Sequence, residues 1–169
     1  KSKDFARNNL LPYVSYSHLT HLLHFIYEKK NRLILYDYGA GNLNLYYYLN
    51  CKFKNLDYVF KDQNIVEEKI KIIIKSDNLS NLFTSDQKKQ IDFDIVYFGS
   101  SLQYIKNYKE ELLTFFNKSK YILISQTPFF HNDQLSEKII LKQINMHPEI
   151  NYLYLFNLNY FIKFMNKNN

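Results

Sequence analysis

The chain has 169 residues, a length that suits one domain around one core, and its 46% hydrophobic and 18% aromatic content allows that core to pack. A single cysteine, Cys51, excludes an intramolecular disulfide and fits a reducing compartment. No apolar run approaches the ~18 to 20 residues of a membrane span and no signal peptide is visible, so a cytoplasmic protein without a membrane span is expected. The formal charge of +6 invites a nucleic-acid partner, but the lysines are scattered in nothing longer than doublets such as Lys29-Lys30 and Lys88-Lys89, which reads as solvated surface.

Taken in chain order, "SHLTHLLHFIYEKKN" places Leu19, Leu22, Leu23 and Ile26 at helical spacing, with Ser17 as the predicted cap. "RLILYDYG" is a strand ending at a glycine turn, and "NLNLYYYLN" resumes as a helix. "LDYVFKD" is a second strand, "NIVEEKIKIIIKSD" a helix, "SNLFT" a weak third strand and "SDQKKQI" at most a helical turn. "FDIVYFG" is nearly all apolar, as a strand buried on both faces should be. "NYKEELLTFFNKS" is an amphipathic helix and "KYILISQ" a fifth strand. After "TPFF" the pattern loosens: "LSEKIILKQI" fits either state, and "NLNYFIKFMNKN" reads as a final helix.

This alternation predicts an α/β fold: a Rossmann-like, doubly wound, mostly parallel sheet with helices on both faces. The ligand site of such a sheet lies at the carboxyl ends of its strands, near the topological switch point.

Two of the three glycines, Gly39 and Gly41, stand at that place, directly after Asp37. Glycines there let the chain turn tightly and let a ligand approach without a Cβ in the way. Both dinucleotide and S-adenosylmethionine (SAM) sites use this arrangement. A carboxylate at the end of the first strand repels a pyrophosphate and favours the sulfonium and ammonium of SAM. The dinucleotide fingerprint also needs a glycine where this chain has Asn44. Asp62 ends the second strand, where a carboxylate accepts both hydroxyls of a ribose; the alternative is an ordinary exposed turn residue.

These segments together resemble class I SAM-dependent methyltransferases over residues 15 to 165. "LILYDYGAG" resembles their first motif, "YVFKD" the second strand with its ribose acid, "FDIVYFGSSLQYIKNYKEEL" the fourth strand and its loop, and "KYILISQTPF" the fifth strand. "SSLQYI" and "QTPF" further resemble a small bacterial family of methyltransferases found near surface-glycan genes. The resemblance implies SAM as cofactor, with Asp37, Gly39 and Gly41 beside its methionine part and Asp62 on its ribose. It also implies Ser85 and Asp86 at the adenine edge, and Ser100, Ser101, Leu102 and Gln103 lining the cofactor and the methyl-transfer face. Two departures stand out. Leu43 occupies the position of a third glycine, and the family's antiparallel C-terminal strands have no evident counterpart, so the chain is expected either to be truncated or to use a reduced sheet.

Methyl transfer to a hydroxyl requires a base near the loops after strands four and five. "TPFFHND" offers His131 and Asp133 there, His131 being the better base at neutral pH; the alternative is a surface histidine in a loop. Tyr104 either places an acceptor or packs against the sheet, the second being the expectation. His147 precedes Pro148 in a turn, and Thr127-Pro128 shapes the exit from strand five. His18, His21 and His24 drift around a helix without an accompanying acid or cysteine cluster, so no metal site is expected. Cys51 is expected to be a packed thiol.

The leading expectation is a single domain, with a helical segment over 1–30, a core over 31–126 and an acceptor-side segment over 127–169. It transfers a methyl group from SAM to a small acceptor, an oxygen of a sugar or glycan precursor by the resemblance. The alternative is a non-catalytic binding subunit that keeps the fold. A dinucleotide oxidoreductase is disfavoured by Asp37 and Asn44. Methylation of a nucleic-acid base is disfavoured because "GSSLQY", rather than an "Asn-Pro-Pro-Tyr"-like segment, follows strand four.

Overall fold

The computed structural model describes residues 16–88, 91–132, 134–144 and 151–168. Five parallel strands form the main sheet: β1 (Leu33–Tyr38), β2 (Leu56–Lys61), β3 (Leu82–Thr84), β4 (Phe93–Gly99) and β5 (Ser119–Ser125), in the order β3-β2-β1-β4-β5. Helix α1 (Ser17–Lys30) precedes β1. Helices α2 (Asn44–Asn50) and α3 (Asn64–Asp77) connect β1 to β2 and β2 to β3, and α4 (Tyr108–Phe116) connects β4 to β5. A three-stranded second sheet follows, β6 (Phe129–Phe130), β7 (Lys138–Gln143) and β8 (Asn151–Asn157), and α5 (Leu158–Asn168) ends the described chain.

The burial of the strands explains the order. Every residue of β4 but Gly99 is buried, as a central strand covered on both faces requires. On one face, Leu19, Leu23 and Ile26 of α1, Leu45, Tyr46 and Leu49 of α2 and Ile70 of α3 pack on Leu33, Leu35, Tyr58 and Tyr97. On the other, Leu112 and Phe115 of α4 and Phe161 of α5 pack on Tyr36, Val59, Val96 and Phe98. The sheet is therefore doubly wound. Helices α1 and α3 end at Asn31 and Asn78, both left-handed, whose N–H groups return to Tyr27 O and Ile74 O. The first residue of α1 is Ser17, with Tyr16 in the cap position and no side-chain cap bond, which differs from the predicted cap.

The C-terminal region corrects the expectation of absent strands. β7 and β8 form an antiparallel pair, but they join the short β6 rather than the main sheet, which stays at five strands. The ambiguous "LSEKIILKQI" supplies β7. The sequence reading missed β8: "NYLYLFN" is apolar at five successive positions and shows no period-2 alternation. Phe156 of β8 is fully buried and meets the Tyr108 ring at 4.5 Å, which fastens the second sheet to α4. Such burial stabilises by about 1.5–3 kcal/mol. Glu137, just before β7, accepts from Tyr108 Oη at 2.6 Å and from Lys109 Nζ at 2.6 Å.

No helix among the described residues is long and apolar enough to cross a membrane.

Candidate functional site

A cleft of about 500 Å³ opens at the carboxyl ends of β1, β2 and β4, within the usual range for small-molecule sites. It sits where the strand order reverses between β1 and β4. Tyr38 and Gly39 line it from β1, Lys61, Asp62 and Gln63 from β2, Ser100 and Ser101 from β4, and Tyr104 with Ile105 from the 3-10 turn that follows.

The two glycines answer different needs. Gly39 has φ +86°, its N–H donates to Lys61 O at 2.8 Å, and a Cβ there would lie 2.7 Å from Ser101 Cβ. Only glycine lets the β1 turn meet the β4 loop this closely. Gly41 has φ +60° and open space around it, and its N–H donates to Asp62 Oδ2 at 2.8 Å. Leu43 adopts φ +63°, the conformation a glycine would take, while its side chain is fully buried in the core.

Asp62 is half-buried. Its Oδ1 accepts from Gln63 N–H at 2.7 Å, and its own N–H donates to Glu67 Oε1 at 3.0 Å. Each carboxylate oxygen retains acceptor capacity beyond these bonds, and Asp62 lines the cleft. Asp37 lies elsewhere. Its carboxylate is buried under the turn, Tyr58 Oη donates to it, and it does not line the cleft. Burial pushes Asp37 up to about 7, the Tyr58 hydrogen bond opposes this, and Asp62 adds to it. Asp37 thus stands buried beside Tyr58 and not on the cleft wall.

In the β4 loop, Ser100 is left-handed at φ +58° and its N–H donates to Ser125 O at 2.9 Å. Gln103 Nε2 donates to Ser100 O at 2.9 Å and to Ser100 Oγ at 3.0 Å. Leu102 and Gln103 are buried and brace the loop from below instead of lining the cleft. Ser101 Oγ is buried without a hydrogen-bond partner among the described residues. A buried hydroxyl without a partner is destabilising unless a ligand or water satisfies it.

Ser85 and Asp86 line a neighbouring cleft of about 390 Å³, together with Tyr36 and Glu111. Lys61 lines both clefts and stands at their junction. Ser85 hydrogen-bonds Tyr36, whose hydroxyl is pushed well above its ordinary range chiefly by burial.

His131 is exposed and outside the cleft. Asp133, His147 and Pro148 fall outside the described residues. Tyr104 is 48% exposed and its hydroxyl donates to Gln143 Oε1 at 3.3 Å, so it does not pack against the sheet as expected. Cys51 is exposed, which corrects the packed-thiol reading. Among the described residues no group of three His, Cys, Asp or Glu could hold a metal ion, and the His24 ring instead packs on Phe53 at 4.8 Å. Sequence reasoning passed over Tyr38, Lys61, Gln63, Ile105 and Glu111. A lysine closing the strand after the apolar run Tyr58–Phe60, next to Asp62, was the signal available.

No family profile matches the chain, and no curated protein matches its sequence. Solved structures do match. The N-terminal domain of EvdMO1 with bound S-adenosylhomocysteine (SAH) superposes with a TM-score of 0.62 at 12% identity, covering 99% of this chain and 86% of that one. This chain has the fold of SAM-dependent methyltransferases. Another match is SAM-bound CalS10, an amino pentose methyltransferase from Micromonospora echinaspora involved in calicheamicin biosynthesis, with a TM-score of 0.55, 7% identity and 98% and 86% coverage. A third is a SAM-dependent methyltransferase from Clostridium acetobutylicum, with a TM-score of 0.56, 14% identity and the same coverages. These matches extend over nearly the whole length of the chain.

Proposed function

We propose that the protein is a cytoplasmic SAM-dependent methyltransferase acting on a small acceptor, an oxygen of a sugar or glycan precursor. One observation carries the cofactor reading: Gly39, Asp62 and Ser101 from three different strand ends meet around one cleft at the switch point of a methyltransferase fold.

The residues present fit SAM. Gly39 offers a backbone wall without a Cβ, Asp62 keeps free lone pairs for ribose hydroxyls, and Ser101 Oγ has a hydrogen-bonding capacity that the described protein leaves unused. The cofactor supplies an activated methyl group on its sulfonium. The chain's own task is to hold and orient: Asp62 fixes one end, the Gly39–Ser101 junction fixes the other, and Tyr104 with Ile105 shapes the side open to an acceptor. The sugar reading draws support from relatives: the EvdMO1 domain was crystallised with SAH and D-fucose, and CalS10 acts on an amino pentose. Since His131 lies outside the cleft, removal of a hydroxyl proton is assigned to no described residue.

Calorimetric titration with SAM, SAH and NAD tests this. Micromolar binding of SAM or SAH, roughly −7 to −8 kcal/mol, is expected, with no binding of NAD. Tight NAD binding without SAM or SAH binding would reject the reading. Release of SAH on incubation with SAM and a panel of free and nucleotide-linked sugars then tests the acceptor class; methylation of an unrelated acceptor alone would overturn it.

A further inference from the structure

The cleft carries one formal cation and one formal anion on its walls, Lys61 and Asp62. Lys61 reaches over the Tyr38 ring at 4.9 Å from its centroid, and its Nζ lies 2.9 Å from Glu111 Oε1 on α4. The Lys61 side chain is 38% exposed and that of Glu111 24%, so both charges are partly withdrawn from water and screening between them is incomplete. The other side of the pair faces the neighbouring cleft, where Lys88 and Lys118 stand with Asp86. Lys88 is already engaged, lying 3.7 Å from Asp57 and over the Phe83 ring. Without Glu111, Lys61 would lose its ion-pair partner and the junction of the two clefts would be more positive by one charge.

We propose that Glu111 sets the charge of the cleft by neutralising Lys61, and that this pair decides how strongly the site distinguishes SAM from its demethylated product. The inference rests on the SAM reading above. SAM carries a sulfonium, an ammonium and a carboxylate, a net charge of +1; SAH lacks the sulfonium and is neutral overall. An uncompensated Lys61 repels the extra positive charge and leaves SAH nearly unaffected. Glu111 is a positioning residue here, acting on the ligand through Lys61.

The test is calorimetric titration of SAM and of SAH into the wild type, Glu111→Gln, Lys61→Met and the double variant, at low ionic strength. Glu111→Gln is expected to weaken SAM by about three- to tenfold while SAH stays within about twofold. Lys61→Met, which keeps the carboxylate, should shift the ratio toward SAM. The neutral double variant should return the ratio to the wild-type value, as a coupled pair requires. Added salt should shrink the shift in Glu111→Gln. Equal weakening of both ligands in Glu111→Gln, or an unchanged ratio in Lys61→Met, overturns the proposal and leaves the pair a structural clamp. Should Glu111→Gln fail to fold, the ratio in Lys61→Met decides alone. Loss of both ligands already in the wild type overturns the cofactor reading, and this inference with it.

Discussion

Gly39 stands against Ser101 so closely that no side chain fits between them: a Cβ on the glycine would lie 2.7 Å from Ser101 Cβ. The end of β1 and the loop after β4 are thereby held in contact at the base of the cleft. Gly39→Ala forces both an unfavourable φ and a clash with a well-packed neighbour, an expected loss of about 2–4 kcal/mol. Gly41→Ala meets open space and bears only the backbone strain of about 1–2 kcal/mol. Chemical denaturation of the two variants checks the difference. Equal stabilities would mean that the Gly39–Ser101 contact is looser than described.

Asp62 has two roles that substitution can separate. Its carboxylate ties Gly41 and Gln63 to the end of β2, and it faces the cleft. Asp62→Ala should therefore lower stability by about 1.5–3 kcal/mol for the charge-assisted bonds lost, and weaken SAH at least about tenfold. Asp62→Asn keeps an oxygen acceptor for one N–H and should recover part of the stability while still binding SAH weakly. Full recovery of SAH binding in Asp62→Asn would show that the carboxylate shapes the turn and does not touch the ligand.

Asp37 is expected to make stability depend on pH in the direction opposite to most acids. Burial lifts its folded value to about 7, against about 3.9 in the unfolded chain. Between these values the folded state holds the proton and the unfolded state releases it. The stabilisation is fully present below about pH 4 and is lost as pH rises through about 7. The groups facing the carboxyl are Tyr58, Tyr97 and Asp62; the Tyr97 hydroxyl is itself pushed up to about 12, mainly by burial. On going from about pH 8 to about pH 5, the melting temperature of the wild type should rise relative to that of Asp37→Asn, which has no proton to gain. Parallel curves for the two proteins would place the Asp37 carboxyl in contact with solvent.

Much of this molecule was legible in the sequence because its core strands are short apolar runs punctuated by polar turns. The run Phe93–Gly99 reads as a doubly covered strand, and Gly39 with Gly41 mark the turn after β1, the strand end at which the cleft opens. Three things were not legible. β8 lacks a binary pattern because the neighbours Phe156 and Asn157, on opposite faces of the strand, are both buried while Tyr152 is exposed. The partition of Asp37 into the core and Asp62 into the cleft depends on the partner Tyr58, which is remote in sequence from both the turn and the acid it binds. Lys61 takes its ion-pair partner from Glu111, fifty residues away on α4. Long-range side-chain pairing of this kind leaves no periodicity to read.

Leu43 is where the family pattern and this chain part, and the structure shows what the substitution exchanges. The residue holds a left-handed φ of +63°, a strain of about 1 kcal/mol or more for a side chain with a Cβ. Its side chain is fully buried against the core formed by α1, α2 and the sheet, a gain that outweighs the strain. The N–H of Leu43 still returns to Ala40 O at 3.3 Å and its carbonyl accepts from Tyr47 N–H at 3.0 Å, so the turn closes and α2 starts as a glycine would allow. Leu43→Gly should thus destabilise the protein by about 2–4 kcal/mol, because the cavity left by a buried leucine exceeds the strain relieved. SAH affinity should change less than about threefold, since the side chain points away from the cleft lining. Denaturation and calorimetric titration of the same variant provide both readouts. An increase in SAH affinity of tenfold or more would show instead that the leucine distorts the turn around the ligand.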